Sequence, residues 1–352
     1  MNAPDRVLLA LSDPEGRVRP PAGSGWVPRL SAEELCRRAL FHGVHGTVLA
    51  NLQGASAEVW PVSWRDAAIR ALAPVVRIDA ARGMLLRAYG LRMCRALEAA
   101  GLPALLLKGA DFADQLYPRP ALRSFTDIDL LVRPEDFARA GRVLLEEGCA
   151  RHSDGPLKHA AAYGEEVYQL AVAGVTLRVE LHWNLVNSPS LHRGVHVVLD
   201  DLLDDAGGFG HEGRLLLAAV HAGSGHQFDR LKFLVDLLQL LRRGEAMNLL
   251  WLAERAGRTG SNRVLATACS LVATLFKCPE APIVGRRLGL TPPPFWCRLL
   301  LSPPLVMRGL SPRGGDGLRK NLFRQYLKGG GPVRLPANDQ GAILSSHGED
   351  AP

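Results

Sequence analysis

The chain has 352 residues, 47% of them hydrophobic and 22% charged. That is the composition of a globular protein with room for two subdomains, not of a disordered or fibrous chain. Its net charge of +7 is uneven: residues 286–330 hold nine Lys/Arg and one acid, a surplus of +8, so the remainder sums to −1. Any basic surface for nucleic acid, lipid or an acidic partner is therefore confined to that stretch.

In chain order, the first apolar run is Val7-Leu8-Leu9-Ala10-Leu11. It is too short to span a membrane and lacks the basic flank of a signal peptide, so the cytoplasm is the expected compartment. Residues 12–28 are rich in Pro and Gly and predict a loop. Ser31-Ala-Glu-Glu predicts a capping box, Ser31 capping and Glu34 reaching back. Apolar residues Leu35, Ala39, Leu40, Val44, Val48 and Leu49 then follow at helical spacing to about residue 52. A longer helical pattern runs from Trp64 to Ala100 and stops at Gly101 and Pro103.

After residue 103 the pattern changes. Ala104–Leu107 predicts a buried strand that ends in a turn at Lys108-Gly109, and Ala110–Leu116 a short helix broken by Pro118 and Pro120. Asp127–Val132 predicts a second strand, and Pro134-Glu135-Asp136 opens a helix that reaches Glu147 before Gly148. Val167–Ala173 and Val175–Trp183 predict two strands joined at Gly174. In the second, Val175, Leu177, Val179 and Leu181 share one face, and Thr176, Arg178, Glu180 and His182 the other. Helical signals return at Leu215–Ala222, Leu231–Arg242 and Leu249–Ala256, and residues 331–352 predict a disordered tail. The six cysteines form no C-x-x-C pair, which argues against a disulfide framework or zinc knuckle and predicts buried free thiols.

Chemistry concentrates at Asp127-Ile128-Asp129. Strand alternation turns both carboxylates to one side while Ile128 and Leu130 enter the core. Two anions so close repel each other and raise each other's pKa unless a cation neutralises them. For oxygen ligands beside phosphates that cation is Mg²⁺, with Mn²⁺ the alternative. His221, His226, Asp229 and Asp236 also cluster, but His221 and His226 lack the i, i+4 spacing of a helical ligand pair. There is no G-x-S-x-G elbow and no G-x-x-x-x-G-K-[ST] loop, which excludes serine-hydrolase and P-loop readings.

Several marks occur in a fixed order: Leu106-Leu107-Lys108-Gly109, Tyr117-Pro118, Arg123, Asp127-Ile128-Asp129-Leu130-Leu131-Val132, and Glu180-Leu181-His182-Trp183. Together the segment resembles the nucleotidyltransferase superfamily that includes DNA polymerase beta. It is more closely similar to an uncharacterised bacterial nucleotidyltransferase group, which Leu231-Lys232-Phe233-Leu234-Val235-Asp236 also resembles. The resemblance implies a mixed α/β (α+β) core with Asp127, Asp129 and Glu180 as catalytic, metal-binding carboxylates. It implies that Lys108, Gly109 and Arg123 contact the nucleotide, with His182 and Asp236 supporting the site from behind. Two features depart from the superfamily pattern: Ala110 follows the glycine where serine is usual, and the gap from Gly109 to Asp127 is long.

The expected layout is a helical region at 1–100, a nucleotidyltransferase core at 101–187, a helical region at 188–330 with the basic stretch 286–330, and the tail 331–352. The expected reaction moves a nucleoside monophosphate from an NTP, ATP foremost, to an unidentified acceptor hydroxyl on a small molecule, peptide or protein. Template-directed work on nucleic acid is not expected; the basic stretch reads as a solvated face, with an acidic partner as the alternative. Two alternatives stay open: a nucleotide- or partner-binding module without turnover, and an antitoxin-like or biosynthetic-cluster accessory protein that modifies one protein or peptide partner.

Overall fold

In the computed structural model the described residues are 1–21, 29–54, 60–152, 163–308 and 316–329. The expected disordered tail at 331–352 lies outside them, as does part of the 12–28 loop. The chain opens with a helix not expected from its sequence, α1 (Ala3–Ser12), in which the Asn2 side chain accepts a hydrogen bond from the Asp5 amide at 2.8 Å. Val7, Leu8, Leu9 and Leu11 are all buried, so this short apolar run is a core helix. The single helical pattern read to residue 52 is two helices, α2 (Ala32–His42) and α3 (His45–Gly54), divided at Gly43, whose φ of 68° ends α2. Ser31 caps α2 as predicted, but the Glu34 carboxylate turns to Arg37 rather than back to the cap.

Helix α4 (Val62–Ala99) is the spine of the molecule. Its first half buries Trp64, Ala68 and Leu72 in a core formed with α1 to α3, and its second half buries Leu86, Met93 and Leu97 against the sheet. Gly90 is required there: a Cβ at that position would lie 2.8 Å from a Leu106 methyl and 3.3 Å from Ile128. Beyond α4 come β1 (Ala104–Leu106), α5 (Lys108–Leu116), β2 (Asp127–Val132), α6 (Phe137–Glu146), β3 (Ala150–Arg151), β4 (Glu165–Val172) and β5 (Val175–His182). Helix α5 begins two residues earlier than predicted, so Lys108 and Gly109 form its first turn rather than a separate turn.

The sheet is mixed and five-stranded, in the order β1-β2-β5-β4-β3. Only β2 and β5 run parallel, and that pairing sets Asp129 directly opposite Glu180. One face carries Ile128, Leu130, Leu177, Val179 and Leu181 into the core beneath α4 and α6. The β4–β5 hairpin closes through Ala173 (φ 46°) and Gly174 (φ 80°), two consecutive left-handed residues as a tight hairpin turn requires.

After β5 the chain is helical again: α7 (His211–Val220), a five-residue π-helix at His221–Gly225, α8 (Leu231–Leu241), α9 (Leu249–Arg258), α10 (Asn262–Phe276) and further helices to Lys328. Helix α8 is buried almost all round and joins one apolar core that runs from Val7 to Leu327. The architecture is thus a mixed α/β core flanked by N- and C-terminal helical regions, consistent with the polymerase beta-like fold. All six cysteines are free and buried. Among the described residues no helix is long and apolar enough to cross a membrane.

Candidate functional site

The polar face of β2 and β5 borders a cavity of about 350 Å³. Asp127, Asp129, Glu180, Lys108, Gly109, Arg123 and His182, all singled out in the sequence, line it together. Asp236 does not. It lies behind the cavity wall on α8, 1% exposed.

Register explains why the carboxylates meet. Asp129 and Glu180 are direct neighbours on parallel strands, and Asp127 sits one pleat back on the same face. His182, two residues beyond Glu180, rises on that face beside Asp129. Past Asp129 strand β2 turns apolar on this face, with Leu131, opposite His182, entering the large core.

Lys108 and His182 both converge on the Asp129 Oδ1, the lysine Nζ at 2.8 Å and the imidazole Nε2 at 3.1 Å. His182 Nε2 is also 3.6 Å from Glu180 Oε2, and its Nδ1 is 3.5 Å from Glu165 Oε2. Burial works against a charged Asp129, but Lys108 and His182 outweigh it and hold its carboxyl well below the usual range. Burial also opposes charge on His182, as does Lys108, yet its hydrogen bonds to Asp129 and Glu180 raise it to about 9. Asp127 behaves oppositely: burial first, then the charges of Asp129 and Glu180, push its carboxyl up. Glu180 is lowered despite its burial, through its hydrogen bond with His182. One strand face therefore carries two aspartates with opposite proton affinities.

Asp129, Glu180 and His182 form a candidate metal-coordinating group: each offers a ligand atom within 4.8 Å of the others. No hydrogen bond from a described residue reaches Asp129 Oδ2, so that oxygen is available to a cation while Oδ1 is held. Two carboxylates and one imidazole suit a hard or borderline divalent ion. Behind them Glu165 Oε2 lies 3.5 Å from the outer nitrogen of His182, which makes no hydrogen bond among the described residues. Asp127 lies outside this three-residue group.

The remaining residues have specific structural surroundings. Lys108 takes a left-handed φ of 46°, which for a residue with a Cβ costs about 1–2 kcal/mol and aims its side chain at Asp129. Gly109 packs on Phe125: an added Cβ would lie 2.7 Å from the Phe125 Cγ and 2.8 Å from its Cβ. Arg123 borders the cavity with every nitrogen in use. Its Nη2 donates to Asp236 Oδ2 at 2.8 Å, its Nε to Oδ1 at 3.3 Å, and its Nη1 to the Ser124 carbonyl. The Tyr117 hydroxyl donates to the same Asp236 at 2.7 Å. Asp236 is therefore a buried brace for the loop that feeds β2.

The wall facing the carboxylates comes from residues whose sequence context gave them no role in this site. His221, Gly225 and His226 line it from the π-helical segment, and Lys232 and Phe233 from α8. His226 stacks on Phe233 with ring centroids 4.4 Å apart, and His221 meets both rings edge-on. Burial, reinforced by Lys108, holds both histidines below the usual imidazole range, His226 at about 4. They contribute neutral rings, and neither belongs to a three-ligand metal group among the described residues. The signal that could have found this wall is the irregular His-Ala-Gly-Ser-Gly-His run itself: Gln227 and Phe228 follow it with φ of 50° and 57°. Strained backbone of this kind, next to a π-helix, concentrates at functional sites.

Residues 28–277, more than half of the chain, match the model of a family described as an uncharacterised nucleotidyltransferase. No curated protein and no solved structure matches the chain.

Proposed function

Because the chain belongs to this uncharacterised nucleotidyltransferase family, we propose that it transfers a nucleoside monophosphate from an NTP to an acceptor hydroxyl, with release of pyrophosphate. The observation that carries this reading is the register of Asp129 against Glu180, with Asp127 one pleat behind, on the wall of a cavity large enough for a nucleotide's phosphates. Mg²⁺, or Mn²⁺, would be held by Asp129 and Glu180, and by His182 once its Nε2 gives up the proton it donates to Asp129. When bound, such an ion neutralises phosphate charge and stabilises an in-line displacement at the α-phosphorus.

The chain's own residues do the rest. Asp129 stays ionised through Lys108 and His182 and so keeps its oxygens available as ligands. Asp127, whose carboxyl is pushed up, accepts the acceptor's hydroxyl proton. The acceptor oxygen then bonds the α-phosphorus as the bond from that phosphorus to the β-bridging oxygen breaks. The electron pair leaves with pyrophosphate. Arg123, held by Asp236, fixes the loop before β2 and with it the position of both aspartates.

Labelling with each α-³²P NTP, with Mg²⁺ or Mn²⁺ and cell extract, tests the reading. A labelled product lost in both Asp127→Asn and Asp129→Asn is the expected result. Product formation that survives the double substitution refutes the mechanism.

A further inference from the structure

We propose that Lys232 is the polyphosphate-binding cation of this site, presented from the C-terminal helical region to the wall opposite the carboxylates. The inference rests on the nucleotidyl-transfer reading above and names a residue that reading does not use.

Four lysine or arginine side chains line the cavity: Lys108, Arg123, Arg178 and Lys232. Three are already neutralised, Lys108 by Asp129 at 2.8 Å, Arg123 by Asp236 at 2.8 Å, and Arg178 by Glu180 at 2.6 Å. Among the described residues Lys232 has no ion pair, and its Nζ lies 5.1 Å from the centroid of the Phe233 ring. The fold makes deliberate room for it. Its stem lies on Gly43, where a Cβ would come within 2.8 Å of Lys232 Cδ. Helix α8 is otherwise buried at every position from Leu231 to Leu241, so Lys232 is the one residue of that helix that is not.

Burial and the nearby Arg123 draw the ammonium down to about 8, against the opposing charges of Asp127 and Asp236. A half-buried ammonium crowded by another cation is short of an anion. The acceptor hydroxyl is neutral, Asp129 and Glu180 have partners of their own, and Asp127 makes no ion pair with Lys232 among the described residues. The anion that enters this cavity in the proposed reaction is the polyphosphate of the NTP, and a lysine serves it as a point charge.

The test is direct binding by calorimetry, without turnover, of inorganic tripolyphosphate and of ATP, GTP, CTP and UTP in the presence of Mg²⁺ or Mn²⁺. Lys232→Met keeps the stem on Gly43 and removes the charge; Lys232→Arg keeps the charge. The expected result is a roughly 10- to 100-fold weaker affinity of Lys232→Met for tripolyphosphate and the bound NTP, the loss of one charge-assisted hydrogen bond, with Lys232→Arg recovering most of it. Wild-type affinity in Lys232→Met overturns the assignment and leaves nucleotidyl transfer standing. Equal losses in both variants, with a lower melting temperature, mark Lys232 as structural and also overturn it. A wild-type protein that binds neither tripolyphosphate nor any NTP overturns this assignment and the parent reading together.

Discussion

The buried brace behind the cavity gives the sharpest test of how the site is held. Arg123 and Asp236 have side chains only 4% and 2% exposed, and Asp236 also receives the Tyr117 hydroxyl. Asp236→Ala takes the carboxylate from the guanidinium, which keeps its bond to the Ser124 carbonyl, and removes the acceptor of the tyrosine hydroxyl. Removing one partner of a buried ion pair costs about 3–5 kcal/mol, and an orphaned buried hydroxyl about 1–3 kcal/mol. The two overlap, so a loss of about 4–6 kcal/mol is expected, a large share of a typical domain's stability. Replacing the pair with apolar residues, Arg123→Met with Asp236→Leu, should cost well under the sum of the single changes, because no buried charge is left alone. Urea denaturation followed by tryptophan fluorescence measures all three variants, and Tyr117→Phe calibrates the hydroxyl. If Asp236→Ala costs less than about 1 kcal/mol, the range of an exposed pair, while NTP affinity falls, Arg123 is a phosphate ligand as its sequence position suggests, and the brace is wrong.

Three further outcomes follow from the geometry. Gly109→Ala drives a methyl into the Cβ and ring of Phe125 and should destabilise by about 1–3 kcal/mol in thermal or urea melts; a neutral result would mean Phe125 moves freely. Asp129→Asn should abolish divalent-ion binding, read by Mn²⁺ electron paramagnetic resonance, whereas Asp127→Asn should keep it and lose transfer; equal loss of the ion in both would make Asp127 a ligand too. His42 donates from Nε2 to the Met307 carbonyl at 3.0 Å and accepts at Nδ1 from the Leu231 amide, and burial lowers it from 6.5 to about 4. The unfolded chain therefore takes up this proton first, so its contribution of about 3 kcal/mol is complete above pH 6.5 and is lost as pH falls through 4. His42→Phe should flatten that acid limb. His182 has the opposite sign, its contribution present below 6.5 and lost as pH rises through 9.

Much of the site was legible because strand periodicity is local. Asp127 and Asp129, and Glu180 and His182, share faces through alternation alone, and the buried Ile128, Leu130, Leu177 and Val179 follow from the same rule. Less was legible wherever a long-range contact overrides local pattern. Helix α1 is hard to read because its buried apolar residues form one short continuous run, Val7 to Leu11, without a helical spacing. The break at Gly43 is hidden in the sequence because apolar spacing continues across it, although the glycine also clears space for Lys232. Gly109 and Arg123 look like phosphate contacts in sequence, yet Phe125 and Asp236, 16 and 113 residues away, occupy the glycine's open side and the guanidinium's donors.

By itself, then, the amino-acid order determined the carboxylate-bearing strands, the mixed core between helical regions and the family resemblance, since each is written in spacing along one segment. Tertiary structure alone decided which ion pairs form across the cavity and which cation is left over. The parallel pairing of β2 with β5 sets Asp129 against Glu180, and the packing of α8 places Lys232 opposite them. Partners so far apart in sequence meet only when a shared core fixes their distance, and charge interactions over a few ångströms depend on that distance more than on any local motif.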